Sequence, residues 1–93
     1  MEDDNSIFVG EKPFMNYVTG VVIQFTTKDA KEVIVRARGK FISRAVDVVE
    51  VVRNRFLKDQ VEVKDISISS EEFQNKEGKD VRVSTIDIVL GKV

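Results

Sequence analysis

A chain of 93 residues makes one domain with a small core, and a hydrophobic share of 42% suits an ordinary globular protein. It has no cysteine and no histidine, so disulfides, thiolate nucleophiles, zinc-finger sites and imidazole acid–base chemistry are excluded together. The net charge of −1 is low for a nucleic-acid binder, but residues 11–60 hold ten Lys/Arg against six Asp/Glu, while residues 1–10 hold three acids and no base.

Residues 1–6 are acidic and polar, the opposite of a signal peptide, and read as a flexible tail before a single domain over 7–93. Ile7-Phe8-Val9, closed by Gly10, reads as a first strand. Pro13 suits the first turn of a helix, and Met15, Val18, Val21, Val22 and Phe25 follow at helical spacing to about Thr27. Gly20 weakens that helix by about 1 kcal/mol relative to Ala, which a close-packed neighbour would explain. The most apolar stretch, Val18 to Phe25, is interrupted by Thr19, Gly20 and Gln24 and is too short to span a bilayer, so an intracellular, membrane-free protein is expected.

After the polar connection Lys28 to Lys31, Val33, Val35 and Ala37 alternate with Ile34, Arg36 and Arg38 as a second strand. Period two puts Arg36 and Arg38 on one face. Gly39 ends the strand, and Ile42, Ala45, Val46, Val49, Val52 and Phe56 form the stripe of an amphipathic second helix. Val61-Glu62-Val63-Lys64 alternates as a third strand, then the apolar phase slips to Ile66 and Ile68, which predicts a bulge or a twist. A second phase change separates Val81 and Val83 from Ile86, Ile88 and Leu90. Two long strands joined by an exposed hairpin at about 69–81 follow. The order β-α-β-α-β-β predicts an α/β two-layer domain with strands one and two parallel.

Arg36-Ala37-Arg38-Gly39-Lys40, with Arg44 four residues on, is a compact cationic corner at a strand end and helix start, with no acid from Arg36 to Val46. Guanidinium groups grip phosphates bidentately and each contact releases counterions; an ordinary solvated rim is the competing reading. Lys12 sits badly at a helix start unless an anion approaches, though a stray surface lysine has the same sequence. Lys76, Lys79 and Arg82 put positive charge on the hairpin, among Glu71, Glu72, Glu77 and Asp80. A protruding ribbon can enter a groove, or its charges can simply keep it soluble. Phe56, after Arg53-Asn54-Arg55, is a core or interface aromatic rather than a stacking platform. No Gly-rich phosphate loop, metal-ligand cluster or cofactor motif is present, so an enzyme and a small-molecule substrate are not expected.

Four ordered segments carry a resemblance: Val9-Gly10-Glu11-Lys12-Pro13-Phe14-Met15-Asn16-Tyr17, then Ala37-Arg38-Gly39-Lys40-Phe41-Ile42-Ser43-Arg44-Ala45-Val46-Asp47, Glu50-Val51-Val52-Arg53-Asn54-Arg55-Phe56-Leu57, and Arg82-Val83-Ser84-Thr85-Ile86-Asp87-Ile88. From about residue 7 to 90 the chain resembles the Alba family of archaeal chromatin proteins. The resemblance implies a β-α-β-α-β-β fold, similar to the C-terminal domain of translation initiation factor three. It also implies a cytoplasmic, chromosome-associated homodimer that binds double-stranded DNA and RNA, with two hairpin arms along the minor groove. By position Lys12, Arg38, Lys40 and Arg44 would be contacts of the body and Arg82 of the arm. Phe56 falls where the family packs dimers side by side into higher assemblies along DNA, with Arg53, Asn54, Arg55 and Leu57 around it. Glu11 departs from the family's lysine pair before the proline, removing the lysine that relatives can acetylate. With the low net charge, that departure predicts weaker phosphate-driven affinity and leaves room for some sequence preference. An RNA chaperone or ribonucleoprotein subunit is the alternative function.

Overall fold

The computed structural model describes residues 5–93. In chain order the elements are β1 (Ser6–Phe8), α1 (Phe14–Thr26), β2 (Glu32–Arg38), a 3-10 turn (Gly39–Phe41), α2 (Ile42–Val51), a π-helical turn (Val52–Phe56), β3 (Val61–Gln74) and β4 (Asp80–Lys92). One four-stranded sheet has the order β1-β2-β4-β3. β1 lies parallel to β2, and β4 runs antiparallel to both of its neighbours. The β-α-β-α-β-β order and the parallel first pair are those the periodicity predicts. The expected tail overlaps β1, because Ser6 is paired with Ile34; residues 1–4 lie outside the described residues.

Both helices cover one face of the sheet. Val18, Val21 and Phe25 of α1 and Ala45, Val48 and Val49 of α2 are buried with Val33, Val35 and Ala37 of β2 and Ile86, Ile88 and Leu90 of β4. Each of the larger aliphatic side chains contributes about 1.5–3 kcal/mol by leaving water. The α1 stripe differs from the predicted one: Tyr17 is buried and Met15 is 47% exposed. Phe14, Tyr17, Val18, Val21 and Phe25 are the positions three and four apart that face the sheet, and Met15 falls off that arc. Pro13 is not in the first turn but precedes it, with ψ at 140°, and its carbonyl accepts from the Asn16 N–H. Ile7 Cδ1 lies 3.5 Å from where a Gly20 Cβ would stand, an ordinary contact, so the neighbour does not demand glycine. On α2, Val46, predicted in the stripe, is 40% exposed, and Val48, outside the predicted stripe, is fully buried.

The predicted bulge is at Lys64: the β3–β4 register shifts between Val63 and Asp65. The second phase change is not a bulge, since the register then runs unbroken from Asp65 to Gln74. Ile86, Ile88 and Leu90 face the helices, whereas Val81 and Val83 belong to the alternate face and lie beyond the helices' reach. The two strands stay paired to Gln74 and Asp80, so the hairpin is a ribbon rather than a loop. Asn75 closes its tip: the side-chain oxygen accepts the N–H groups of Glu77 and Lys79, and Gly78 takes a φ of +80° that favours glycine. The ribbon gives the molecule its longest dimension, 46 Å against 26 and 20 Å.

Candidate nucleic-acid interface

Parallel pairing brings the C-terminal ends of β1 and β2 side by side, so the connections into α1 and α2 leave the same end of the sheet. Lys12 lies on the first connection, and Arg38 and Lys40 lie at the second. Because β4 is antiparallel, its Thr85 stands opposite Arg38, and the arm with Arg82 leaves from this same end. Neither helix has an acidic residue in its first turn or a side-chain cap, though the Asn16 N–H donates to the Pro13 carbonyl and the 3-10 turn gives the Ile42 N–H the Gly39 carbonyl.

A clip fixes the first connection against α2. The Arg44 Nη1 donates to the Gly10 carbonyl at 2.5 Å, and its guanidinium lies 5.8 Å from the centroid of the Tyr17 ring. The Tyr17 hydroxyl in turn accepts the Lys12 backbone N–H at 3.0 Å. Arg44, read from sequence as a phosphate contact, is thus partly buried and engaged in shaping the loop that presents Lys12. Tyr17 was within reach of sequence reasoning through the α1 periodicity, but nothing in the spacing signals its hydroxyl bond. At the second connection Arg38 is extended and Gly39 adopts φ +56°, turning the chain into the 3-10 turn whose middle residue is Lys40. Val83 Cγ1 lies 3.6 Å from where a Gly39 Cβ would stand, which seats the corner against the root of the arm. The Lys40 Nζ lies 5.4 Å from the centroid of the Phe41 ring.

Three further arginines of the predicted basic surface are paired. Arg36 is on the open face of the sheet, 5.8 Å from the centroid of the exposed Phe8 ring and 3.9 Å from Asp87, and its buried Nε has no hydrogen-bond partner among the described residues. Arg38 Nη1 is 2.8 Å from Glu71 Oε1, and Arg82 donates to Glu72 Oε2 through Nη2 at 2.5 Å and Nε at 3.1 Å. Lys12, Lys40, Lys76 and Lys79 have no ion pair among the described residues. Lys76 and Lys79 are at the tip of the ribbon, far along it from the corner. The structure therefore gathers Lys12, Arg38, Lys40 and Arg44 at one end, holds Arg82 at the arm's root, and separates Lys76 and Lys79 from them.

The second predicted patch is on the π-helical turn, where Leu57 N–H bonds to the Val52 carbonyl. Asn54, Arg55 and Phe56 are exposed, and Arg53 pairs with Glu50 at 2.6 Å. Leu57 is 4% exposed and packs into the core, so it presents no side chain to a partner. The resemblance placed Leu57 in the patch by its position beside Phe56, but at the end of the turn its side chain joins the core instead. At the other end of the sheet Lys92 donates to Asp29 and Lys64 to Glu62, holding both carboxyls below their ordinary values. No helix among the described residues is long and apolar enough to cross a membrane.

A family model described as Alba matches residues 5–70. A DNA/RNA-binding protein Alba of Methanothrix thermoacetophila is 58% identical over 92 residues, covering 99% of this chain and 100% of that protein. One of Methanococcus maripaludis is 51% identical over 96% of this chain and 99% of its own length. Among solved structures, Alba from Thermoplasma volcanium is similar with a TM-score of 0.85 and 46% identity, over 94% of this chain and 99% of that one.

Proposed function

The chain belongs to the Alba family, and from that premise we propose that it is a non-enzymatic, dimeric protein that binds double-stranded DNA mainly through phosphates and helps to package the chromosome in the cytoplasm. The observation that carries this reading is the meeting of Lys12, Arg38 and Lys40 at one end of the sheet, beside two helix N-termini with no acidic residue in the first turn. Phosphate contacts of this kind position a protein on a duplex without reading its sequence. Lys76, Lys79 and Arg82 add bases along a two-stranded ribbon, among Glu71, Glu72, Glu77 and Asp80, and a ribbon of this kind can enter a groove. The net charge of −1 and the pairing of Arg36, Arg38 and Arg82 with carboxylates support a weaker grip than a strongly basic surface would give, with room for shape or sequence preference.

A second copy is supported by Ile66 and Ile68, which are 56% and 79% exposed although they stand opposite the buried Ile88 and Ile86 on the helix-covered face. That uncovered apolar strip continues the core to the sheet edge, and another chain would bury it. Asn54, Arg55 and Phe56, exposed on the π-helical turn, then suit contacts between neighbouring dimers on one duplex.

The test is a titration of random-sequence duplex DNA with the wild type and with Arg38→Ala/Lys40→Ala. The proposal predicts binding by the wild type and affinity weakened several-fold in the variant; no binding at low salt would defeat it. RNA is the second reading, favoured because the relatives carry the name DNA/RNA-binding. Competition of duplex DNA against structured RNA for limiting protein separates the two.

A further inference from the structure

Four lysines of the basic surface are free of ion pairs among the described residues, whereas two of its arginines are held by consecutive acids of β3. Consecutive strand residues point to opposite faces, so Glu71 and Glu72 reach the two sides of the ribbon. Glu71 stands opposite Val83 on β4 and extends across it to Arg38 of β2, 2.8 Å away. Glu72 stands directly opposite Arg82 and takes both its Nη2 and Nε. One acidic dipeptide thus occupies a base of the body and a base of the arm, at the point where the arm leaves the body.

We propose that Glu71 and Glu72 are built-in competitors for phosphate, holding Arg38 and Arg82 until a duplex displaces them, and that they set the affinity of the interface. This rests on the reading that the surface binds nucleic acid. The side chains of both pairs are more than half exposed, so a phosphate can reach either guanidinium without unpacking the core. Exposed pairs of this geometry are weak enough to be exchanged. Each exchange frees a carboxylate, which lies close to the incoming backbone and takes up a cation. Fewer ions are then released on binding than the number of bases implies. The lysines, which need no exchange, make the first contacts. The arginines follow only where phosphate density is high enough to outbid the glutamates.

Removing the carboxylates should strengthen binding, an outcome that damage to the fold does not produce. The experiment is a duplex DNA titration over a salt series with Glu71→Gln, Glu72→Gln and the double variant. Exposed pairs shift an equilibrium by about 1.4- to fivefold each, so the double variant should bind about two- to twenty-five-fold tighter. Its slope of log affinity against log salt should steepen by up to about two units per chain. Glu32→Gln/Asp59→Asn changes the charge equally, at residues toward the other end of the sheet and without ion pairs among the described residues. It should give a smaller gain. Glu71→Gln should add nothing in an Arg38→Ala background, because its effect runs through that guanidinium. Affinity unchanged in the double variant, an equal gain in the charge control, or a Glu71→Gln gain that persists without Arg38 each overturns the proposal while leaving duplex binding intact. A wild type that does not bind DNA at low salt removes the functional reading itself.

Discussion

The body of the sheet and the arm that leaves it share the strands β3 and β4, yet different forces hold them. In the body Val61, Ile86, Ile88 and Leu90 are buried under or beside the helices, and Leu90 is wholly inaccessible. From Lys64 to Thr85 no residue is buried, and the ribbon is held by its ladder, the Asn75 turn and cross-strand pairs such as Arg82–Glu72. The body can therefore place charges firmly, as the Arg44–Tyr17 clip places the Lys12 loop, while the arm presents charges on a framework with little to lose. Stability resides in one region and adjustable contact in the other.

The sharpest way to break that division is to cut into each part. Leu90→Ala empties a fully enclosed site and should cost about 2–5 kcal/mol, read as a lower urea midpoint. The proposed dimer gives the next largest effect: Ile68→Asp places a charge on the uncovered apolar strip and should convert dimer to monomer in sedimentation, with secondary structure retained. Tyr17→Phe deletes only the hydroxyl that holds the Lys12 N–H; it should cost about 1 kcal/mol of stability and loosen DNA binding, whereas an unchanged affinity would show that the loop needs no clip. Smallest in stability is Lys76→Ala/Lys79→Ala at the ribbon tip, which should move unfolding by less than about 0.5 kcal/mol and still weaken DNA binding.

Periodicity made the element order, the parallel first pair and the bulge at Lys64 legible, because each leaves a local signature. The Val83-to-Ile86 phase change was equally visible but ambiguous: it marks where the helices stop covering one face, and one strand cannot report what lies over it. Met15 and Val46 were put in their helical stripes where Tyr17 and Val48 are the buried positions, since a helical stripe is known only to within a position or two until its partner is known. The basic corner was legible as charge, but the state of its charges was not. Arg38 meets Glu71 across 33 residues of sequence, and Arg44 meets Gly10 across 34. Such pairings exist only once the sheet order sets β4 between β2 and β3 and the first connection beside α2.

The central claim is that phosphate contacts at the corner drive binding, and the most direct measurement is the dependence of duplex affinity on salt for the wild type and Arg38→Ala/Lys40→Ala. The account predicts a clearly negative slope of log affinity against log salt, made shallower by about one unit for each phosphate contact the variant loses. A wild-type slope near zero, or one that the double substitution leaves unchanged, would contradict it.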